Sequence, residues 1–69
     1  MFEVLRGKNG KKDCYINFQS IQLFDTYISL AEERVLKICM LDRAEVFPET
    51  FYEIDDFIDR MKRKEVMPV

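Results

Sequence analysis

The chain has 69 residues, of which 48% are hydrophobic and 35% are charged, a composition typical of a small soluble globular domain. We predict one domain over residues 1–69, because so short a chain leaves no room for a second hydrophobic core. The 11 basic and 13 acidic side chains give a net charge of -2, which excludes attachment to nucleic acid by overall positive charge. The longest apolar run, residues 38–41, is too short for a membrane span.

The sequence lacks the side chains that most enzymes and metal sites require. It contains no histidine, and its two cysteines, Cys14 and Cys39, show no spacing typical of a zinc site. A nucleophile would therefore have no histidine base beside it, and the two glycines, Gly7 and Gly10, form no phosphate-binding loop. We predict no catalytic activity, no metal and no cofactor. We find neither a signal-peptide h-region nor a membrane span in the sequence, which predicts a reduced, cytoplasmic setting, and we interpret both cysteines as small buried hydrophobic residues.

An Asn-Gly pair marks the first turn of the chain. Asn9 and Gly10 are residue types that adopt positive φ in a type I′ turn, and they lie between two β-prone runs, which predicts a hairpin. The register set by this turn pairs Leu5 with Cys14, Val4 with Tyr15, and Arg6 with Asp13. The last of these pairs joins opposite charges across the strands.

Residues 21–41 predict a second hairpin, because apolar and polar side chains alternate there and β-branched and aromatic residues are frequent. Residues 31–34 form the predicted turn, although they include neither Gly nor Asn, so the register is weakly specified. The run 35–41 is apolar on both faces apart from Lys37, as in a central strand or one that a partner covers. A helix over residues 20–33 also fits the spacing, and we favour the strand.

The last element is predicted to be a helix over residues 51–64. Thr50 at the N-cap and Glu53 three positions later match a capping box. The apolar stripe of this helix consists of Ile54, Phe57, Ile58 and Met61. The expected ion pairs on its outer side are Asp56 with Arg60 and Asp59 with Arg63. Residues 66–69 are expected to be a frayed tail.

Together these elements predict an α+β fold, in which a four-stranded antiparallel sheet of two hairpins is followed by a C-terminal helix packed on one face. One helix covers only one face of such a sheet, yet apolar side chains lie on both. We therefore expect a homodimer that covers the second face. The residues assigned to this dimer interface are Leu36, Ile38, Met40 and Tyr27. A curled monomer that buries both apolar sets is the alternative.

Charge is segregated along the last third of the chain. Residues 44–59 contain acidic but no basic side chains, whereas residues 60–64 are basic. We assign contact with a partner protein to the acidic side chains Glu49, Glu53, Asp55, Asp56 and Asp59. The Asp-Asp-x-x-Asp pattern at residues 55–59 resembles the magnesium-diphosphate motif of isoprenoid synthases, which implies a divalent metal. Because those enzymes are large helical bundles, we interpret the carboxylates as a solvated helix face.

The function predicted from the sequence is that of a small non-enzymatic interaction module in the cytoplasm. It would act as a regulator or inhibitor that binds a partner protein through its acidic or apolar surface. The alternative is a protein that binds single-stranded nucleic acid through sheet aromatics and the lysines of the first turn. The residues assigned to that alternative are Lys8, Lys11, Lys12, Tyr15 and Phe18. A small metal-dependent enzyme that uses the helix carboxylates is the third hypothesis.

Overall fold

The computed structural model describes residues 2–64, which form five strands and one helix. The elements are β1 (Phe2–Leu5), β2 (Cys14–Asn17), a 3₁₀ turn (Phe18–Ser20), β3 (Ile21–Ile28), β4 (Arg34–Met40), β5 (Ala44–Pro48) and α1 (Ile54–Arg63). The α+β class is confirmed. The single four-stranded sheet is wrong, because β1 and β2 form one antiparallel sheet and β3, β4 and β5 form a second. The predicted tail, residues 66–69, lies outside the described residues.

The first hairpin forms as the Asn-Gly pair predicts. Asn9 and Gly10 have φ values of 54° and 84°, and the Lys11 amide donates to the Lys8 carbonyl at 3.1 Å. The predicted pairs Leu5 with Cys14 and Val4 with Tyr15 are both observed. The predicted ion pair between Arg6 and Asp13 is wrong, since an Asp13 carboxylate oxygen instead accepts the Gly7 amide at 2.8 Å. The two strands therefore separate after Leu5.

Residues 6–8 leave the first hairpin to pair with residues 49–53, which we call the connecting segment. Gly7 forms an antiparallel bridge with Tyr52 in this segment. On either side of the bridge, the Lys8 amide donates to the Phe51 carbonyl at 3.0 Å and the Glu53 amide donates to the Arg6 carbonyl at 2.9 Å. Backbone pairing therefore joins the beginning of the described chain to the residues just before the helix.

The second sheet is built around β4. The strand interpretation of β3 is confirmed against the helical alternative, and β4 is the central strand that its apolar composition indicates. The third strand, β5, was not predicted, because it is short and follows β4 after only three residues, 41–43. The second turn also begins one residue earlier than predicted, with Leu30, Ala31 and Glu32 in the loop.

The helix begins at Ile54 rather than Phe51, so the predicted capping box is wrong. Glu53 occupies the N-cap position and makes no capping bond through its side chain. The Thr50 hydroxyl donates to a Glu33 carboxylate oxygen instead. The physical reason is that the backbone of residues 51–53 is engaged with residues 6–8 and cannot also be helical. The predicted outer pairs, Asp56 with Arg60 at 3.0 Å and Asp59 with Arg63 at 3.5 Å, are confirmed.

The core lies between the three-stranded sheet on one side and the helix with the first hairpin on the other. The helix contributes its predicted stripe, with Phe57 fully buried and its ring 5.3 Å from that of Phe18 in an edge-to-face contact. The core residues of the sheet include Phe24, Leu36, Ile38, Met40 and Phe47. The prediction that Leu36, Ile38 and Met40 face a partner is therefore wrong, because the curled chain buries them itself.

Arg60 fastens the helix to β1. Its guanidinium binds the Glu3 carboxylate at 3.2 Å and the Val4 carbonyl, and its Cζ lies 5.1 Å from the centre of the Phe57 ring. The same guanidinium also donates to a carboxylate oxygen of Asp56, one turn earlier in the helix, at 3.0 Å. One side chain thus holds together an edge of the first hairpin and the middle of the helix.

Candidate functional site

The outer face of the three-stranded sheet, which points away from the core, is mostly apolar. Strand pairing arranges its side chains in three rows, which are Leu23–Cys39–Ala44, Asp25–Lys37–Val46 and Tyr27–Val35–Pro48. The outward positions of such a sheet are usually polar. Here only Asp25 and Lys37 are charged, and Leu23, Tyr27 and Val46 remain exposed. The helix and the first hairpin join the core on the opposite side of the sheet, and on the outer face Val35 is the one side chain that is buried, at 5% exposure.

The end of the β3–β4 hairpin is apolar on both sides. Tyr27 lies on the outer face, Ile28 lies on the helix side with 64% of its surface exposed, and Leu30 is fully exposed in the turn. We call these three residues the apolar tip. Single exposed apolar side chains are ordinary on protein surfaces, but a cluster on a protruding turn is typical of a binding site.

The turn that carries Leu30 has a strained backbone. The Ser29 amide donates to the Glu33 carbonyl at 2.8 Å, and the Glu32 amide donates to the Ser29 carbonyl at 2.9 Å. These bonds close a three-residue loop in which Glu32 has a φ of 59°. The left-handed conformation costs a residue other than glycine about 1–2 kcal/mol. The loop therefore fixes the direction of Leu30 at an energetic cost that a glycine in place of Glu32 would remove.

Most of the acidic residues assigned to partner contact are occupied by arginines. The ion pairs are Asp55 with Arg34, Asp56 with Arg60, and Asp59 with Arg63. Glu53 is exposed at the helix N-cap, whereas Glu49 is half-buried and lies near the Arg34 guanidinium. The structure therefore does not bring the five carboxylates together as one free acidic surface.

Negative charge without an arginine partner lies beside the apolar tip instead. Glu32 and Asp25 are exposed and form no ion pair with another residue in the described range 2–64. One Asp25 carboxylate oxygen accepts the Thr26 amide at 2.8 Å. Next to them a groove of about 380 Å³ separates β3 from the helix, with Phe24 and Ile58 among its lining residues.

The structure brings together only some of the residues that the sequence analysis assigned to binding of single-stranded nucleic acid. Lys11, Lys12 and Tyr15 are exposed and Lys8 is half-buried, all of them on the first hairpin. Phe18 is buried against Phe57, so its assignment to a base-stacking surface is wrong. The physical reason is that Phe18 follows β2 on its core side, whereas Tyr15 lies on the opposite side of that strand.

The Cys14 thiol and the Tyr52 phenol both lie near Glu45 of β5, and their surroundings favour the neutral form of each. Burial, with the Glu45 carboxylate second, raises the pKa of the Cys14 thiol, and burial also raises the pKa of the Tyr52 phenol. Neither group is therefore activated as a nucleophile at neutral pH. Within residues 2–64, no set of three or more cysteine or carboxylate side chains is placed to hold a metal ion.

Three exposed apolar residues, Ile28, Leu30 and Val46, were not singled out from the sequence. Leu30 had a local signal, because the polar run 31–34 begins directly after it and a loop one residue earlier would place it in a turn. Val46 had a weaker signal: Pro48 favours extended backbone at Phe47, and neighbouring residues of an extended chain point to opposite sides. Ile28 had none, since its alternation with Phe24 and Thr26 places it on the buried side.

The helix of the described region is shorter than a bilayer requires, and no helix there is suited to crossing a membrane. Comparison with known proteins gives no relative: the chain matches no protein-family model, no curated protein and no solved structure. The surfaces described above are therefore the observations from which a function is inferred.

Proposed function

We propose that this protein is a small interaction module that binds a partner protein and has no catalytic activity of its own. Its contact is the apolar tip with the adjoining part of the outer face, and the partner offers an apolar pocket with a basic rim. The observation that carries the proposal is the complete exposure of Leu30 on a strained turn of defined direction. Two free cysteines support a location in the reducing cytoplasm.

The apolar tip fits a partner better than the helix carboxylates do. Arginines already neutralise Asp55, Asp56 and Asp59, so a basic partner would have to displace an intramolecular cation at each position. At the tip, a partner gains the burial of Leu30 and Ile28, and full burial of an aliphatic side chain of this size contributes about 1.5–3 kcal/mol. Glu32 beside the tip supports the basic rim, because its carboxylate has no arginine or lysine partner within residues 2–64.

The shape of the site favours a different protein over a second copy. Three strands of 8, 7 and 5 residues give a flat face of roughly 300 Å², whereas a stable interface buries about 800 Å² per partner. A pocket that encloses the tip from both sides adds the surface of Ile28 and Leu30 to the area buried on binding. Two protruding tips cannot enclose each other, so a second copy would not gain this area. The homodimer stays a prediction, and Leu36, Ile38 and Met40 cannot form its centre because they are buried within one chain.

The test compares matched substitutions in the two exposed turns of the same sheet. Leu30→Asp changes the tip, and Leu41→Asp makes the same change at a leucine that is 71% exposed between β4 and β5. The two variants and the unaltered protein are immobilised and incubated with cytosol from the native source. We expect one protein to be retained by the unaltered chain and by Leu41→Asp but to be lost with Leu30→Asp. Binding of that purified protein should then weaken at least tenfold for Leu30→Asp.

Three results would contradict the proposal. Equal losses in both leucine variants would mean that exposed apolar side chains act without specificity. Retention by Leu30→Asp together with loss in a variant carrying Asp55→Asn, Asp56→Asn and Asp59→Asn would assign the contact to the helix carboxylates. Sedimentation of the pure protein as a dimer that Leu30→Asp dissociates would show that a second copy occupies the tip.

A further inference from the structure

The loop of the first hairpin concentrates positive charge, and its one carboxylate, that of Asp13, accepts the Gly7 amide. Arg6, Lys8, Lys11 and Lys12 fall within seven residues, and none forms an ion pair with a residue of the described range 2–64. We call these four side chains the basic loop. Elsewhere Arg34, Arg43, Arg60 and Arg63 all bind carboxylates, as their ion pairs show. The net charge of -2 therefore hides a local cationic site.

The basic loop is held in one conformation by the rest of the molecule. The Asn9 side-chain amide donates to the Thr50 carbonyl at 2.7 Å, and the Lys8 amide donates to the Phe51 carbonyl at 3.0 Å. At Gly7 the backbone passes so close to the Lys11 carbonyl that a Cβ atom would overlap it. A ligand that binds these cations therefore meets a fixed backbone, and the entropy lost on binding is confined to lysine and arginine side chains.

Two exposed aromatic rings lie on the same two-stranded sheet as the basic loop. Phe2 and Tyr15 project from its outer side, each 68% exposed, and both line one cleft of about 200 Å³. Three residues separate Tyr15 from Lys11, a distance of at most about 14 Å along an extended chain. Rings that stack on bases, beside cations that follow a backbone, are the combination by which proteins hold single-stranded nucleic acid.

We propose that the first hairpin is a binding site for single-stranded nucleic acid, with bases stacked on Phe2 and Tyr15 and phosphates bound by the basic loop. A duplex fits less well, because its bases are stacked on one another and present no free face to the two rings. The site is separate from the apolar tip, which lies on the other sheet. It replaces the buried Phe18 of the sequence-based alternative with the exposed Phe2.

The test measures binding of a fluorescently labelled 12-nucleotide oligothymidylate by anisotropy, over a series of salt concentrations. Contact with three or four phosphates predicts a slope of log K against log salt of about -2 to -3. Removing three lysines in the combined variant Lys8→Gln, Lys11→Gln and Lys12→Gln leaves only Arg6 and should reduce that slope to about -0.7. The matched control carries Lys37→Gln, Lys62→Gln and Lys64→Gln, reaches the same net charge, and should keep the slope of the unaltered protein.

Aromatic stacking is tested separately from charge. Tyr15→Ala should weaken binding about tenfold without changing the salt slope, because stacking involves no counterion release. Its ring is mostly exposed, so the fold should survive, and an unchanged melting temperature serves as the check. Tyr27→Ala is the matched control, since Tyr27 is an exposed tyrosine on the other sheet and outside the cleft, and it should leave affinity unchanged.

Several outcomes would overturn the nucleic-acid site. One is no binding at 20 mM salt, and another is equal weakening in the two triple-lysine variants. Equal or tighter binding of a 12-base-pair duplex would remove the role of the rings. Tighter binding to phosphatidylserine vesicles than to the oligonucleotide would assign the same cations and rings to an anionic membrane surface.

Discussion

The two hairpins of this protein both use left-handed backbone in their turns, but they fill that backbone with different residues. In the first turn the left-handed residues are Asn9 and Gly10, which adopt positive φ at little cost. In the second turn it is Glu32, for which the same conformation is strained. The first turn is therefore specified by its own residues, whereas the second is imposed by the pairing of β3 with β4. The local sequence thus determines the first turn, and tertiary packing determines the second.

The largest change in stability is expected from a substitution in the core on which both hairpins pack. Phe57→Ala should lower the free energy of unfolding by about 3–5 kcal/mol, enough to unfold most domains of this size. We expect both hairpins to be lost together, as a single transition in circular dichroism and tyrosine fluorescence. Phe51→Ala, at a partly exposed ring, is the control and should change stability little. A first hairpin that persists in Phe57→Ala would show that it folds by itself.

The two glycines of the first hairpin are required for different reasons. Gly7 lies too close to neighbouring carbonyls for a Cβ atom, whereas Gly10 has a left-handed backbone. Gly7→Ala should cost about 3 kcal/mol, because the new Cβ overlaps the Lys11 and Lys12 carbonyls and the backbone must move. Gly10→Ala meets no atom within 4 Å and should cost only the left-handed conformation, about 1–2 kcal/mol. Urea denaturation of the two variants measures the difference. A larger loss for Gly10→Ala would mean that the approach of Gly7 to the carbonyls of Lys11 and Lys12 is loose.

Changes at the left-handed residues Asn9 and Glu32 should have opposite effects on stability. Glu32→Gly removes strain but gives the unfolded chain more freedom, so we expect a net gain of about 0.5–1 kcal/mol. Asn9→Ala should lose about 1 kcal/mol, since alanine tolerates positive φ poorly and leaves the Thr50 carbonyl without its side-chain donor. Melting temperatures of both variants at one protein concentration provide the measurement. Destabilisation by Glu32→Gly would show that the second turn does not hold Glu32 in the left-handed region.

The smallest expected effect concerns Thr50, which contacts both hairpins. Thr50→Ala should cost less than about 1 kcal/mol, because the lost bond to Glu33 is exposed. A double-mutant cycle identifies the hydrogen-bond partner of the Thr50 hydroxyl, because only residues in contact show non-additive effects on stability. We expect coupling of Thr50→Ala with Glu33→Gln and none with Glu53→Gln. Coupling with Glu53 would restore the capping box that the sequence predicted.

These contrasts also explain how far the sequence predicted the fold. The first hairpin was predictable in register, because Asn-Gly restricts a turn to one geometry. The helix stripe was predictable as well, because its helical spacing is unambiguous. The start of the helix was not, since the capping-box pattern at Thr50 competes with long-range pairing to Gly7, and that pairing leaves no local signal.

The candidate site was harder to predict because strand β4 is apolar on both faces. Such a strand does not reveal which face is buried, and a turn without Gly or Asn leaves the choice to tertiary packing. The sequence predicted that Leu36, Ile38 and Met40 point outward, whereas the structure buries them and exposes side chains on the other side of the sheet. The surplus of apolar surface was therefore predicted, but on the wrong set of side chains. The apolar tip could be found only after the turn had been located at Leu30.

The pairing of residues 6–8 with the connecting segment has a consequence for how the protein folds. The bond between the Glu53 amide and the Arg6 carbonyl spans 47 positions, and the bridge from Gly7 to Tyr52 spans 45. Contacts between such distant positions slow folding, because a large loop must close before they form. During synthesis on the ribosome, the loop that carries Lys8 and Asn9 must wait for residues 51–53 to emerge before it reaches its final geometry. Residues 6–9 are made before the connecting segment, yet their loop should be among the last parts of the described region to become ordered.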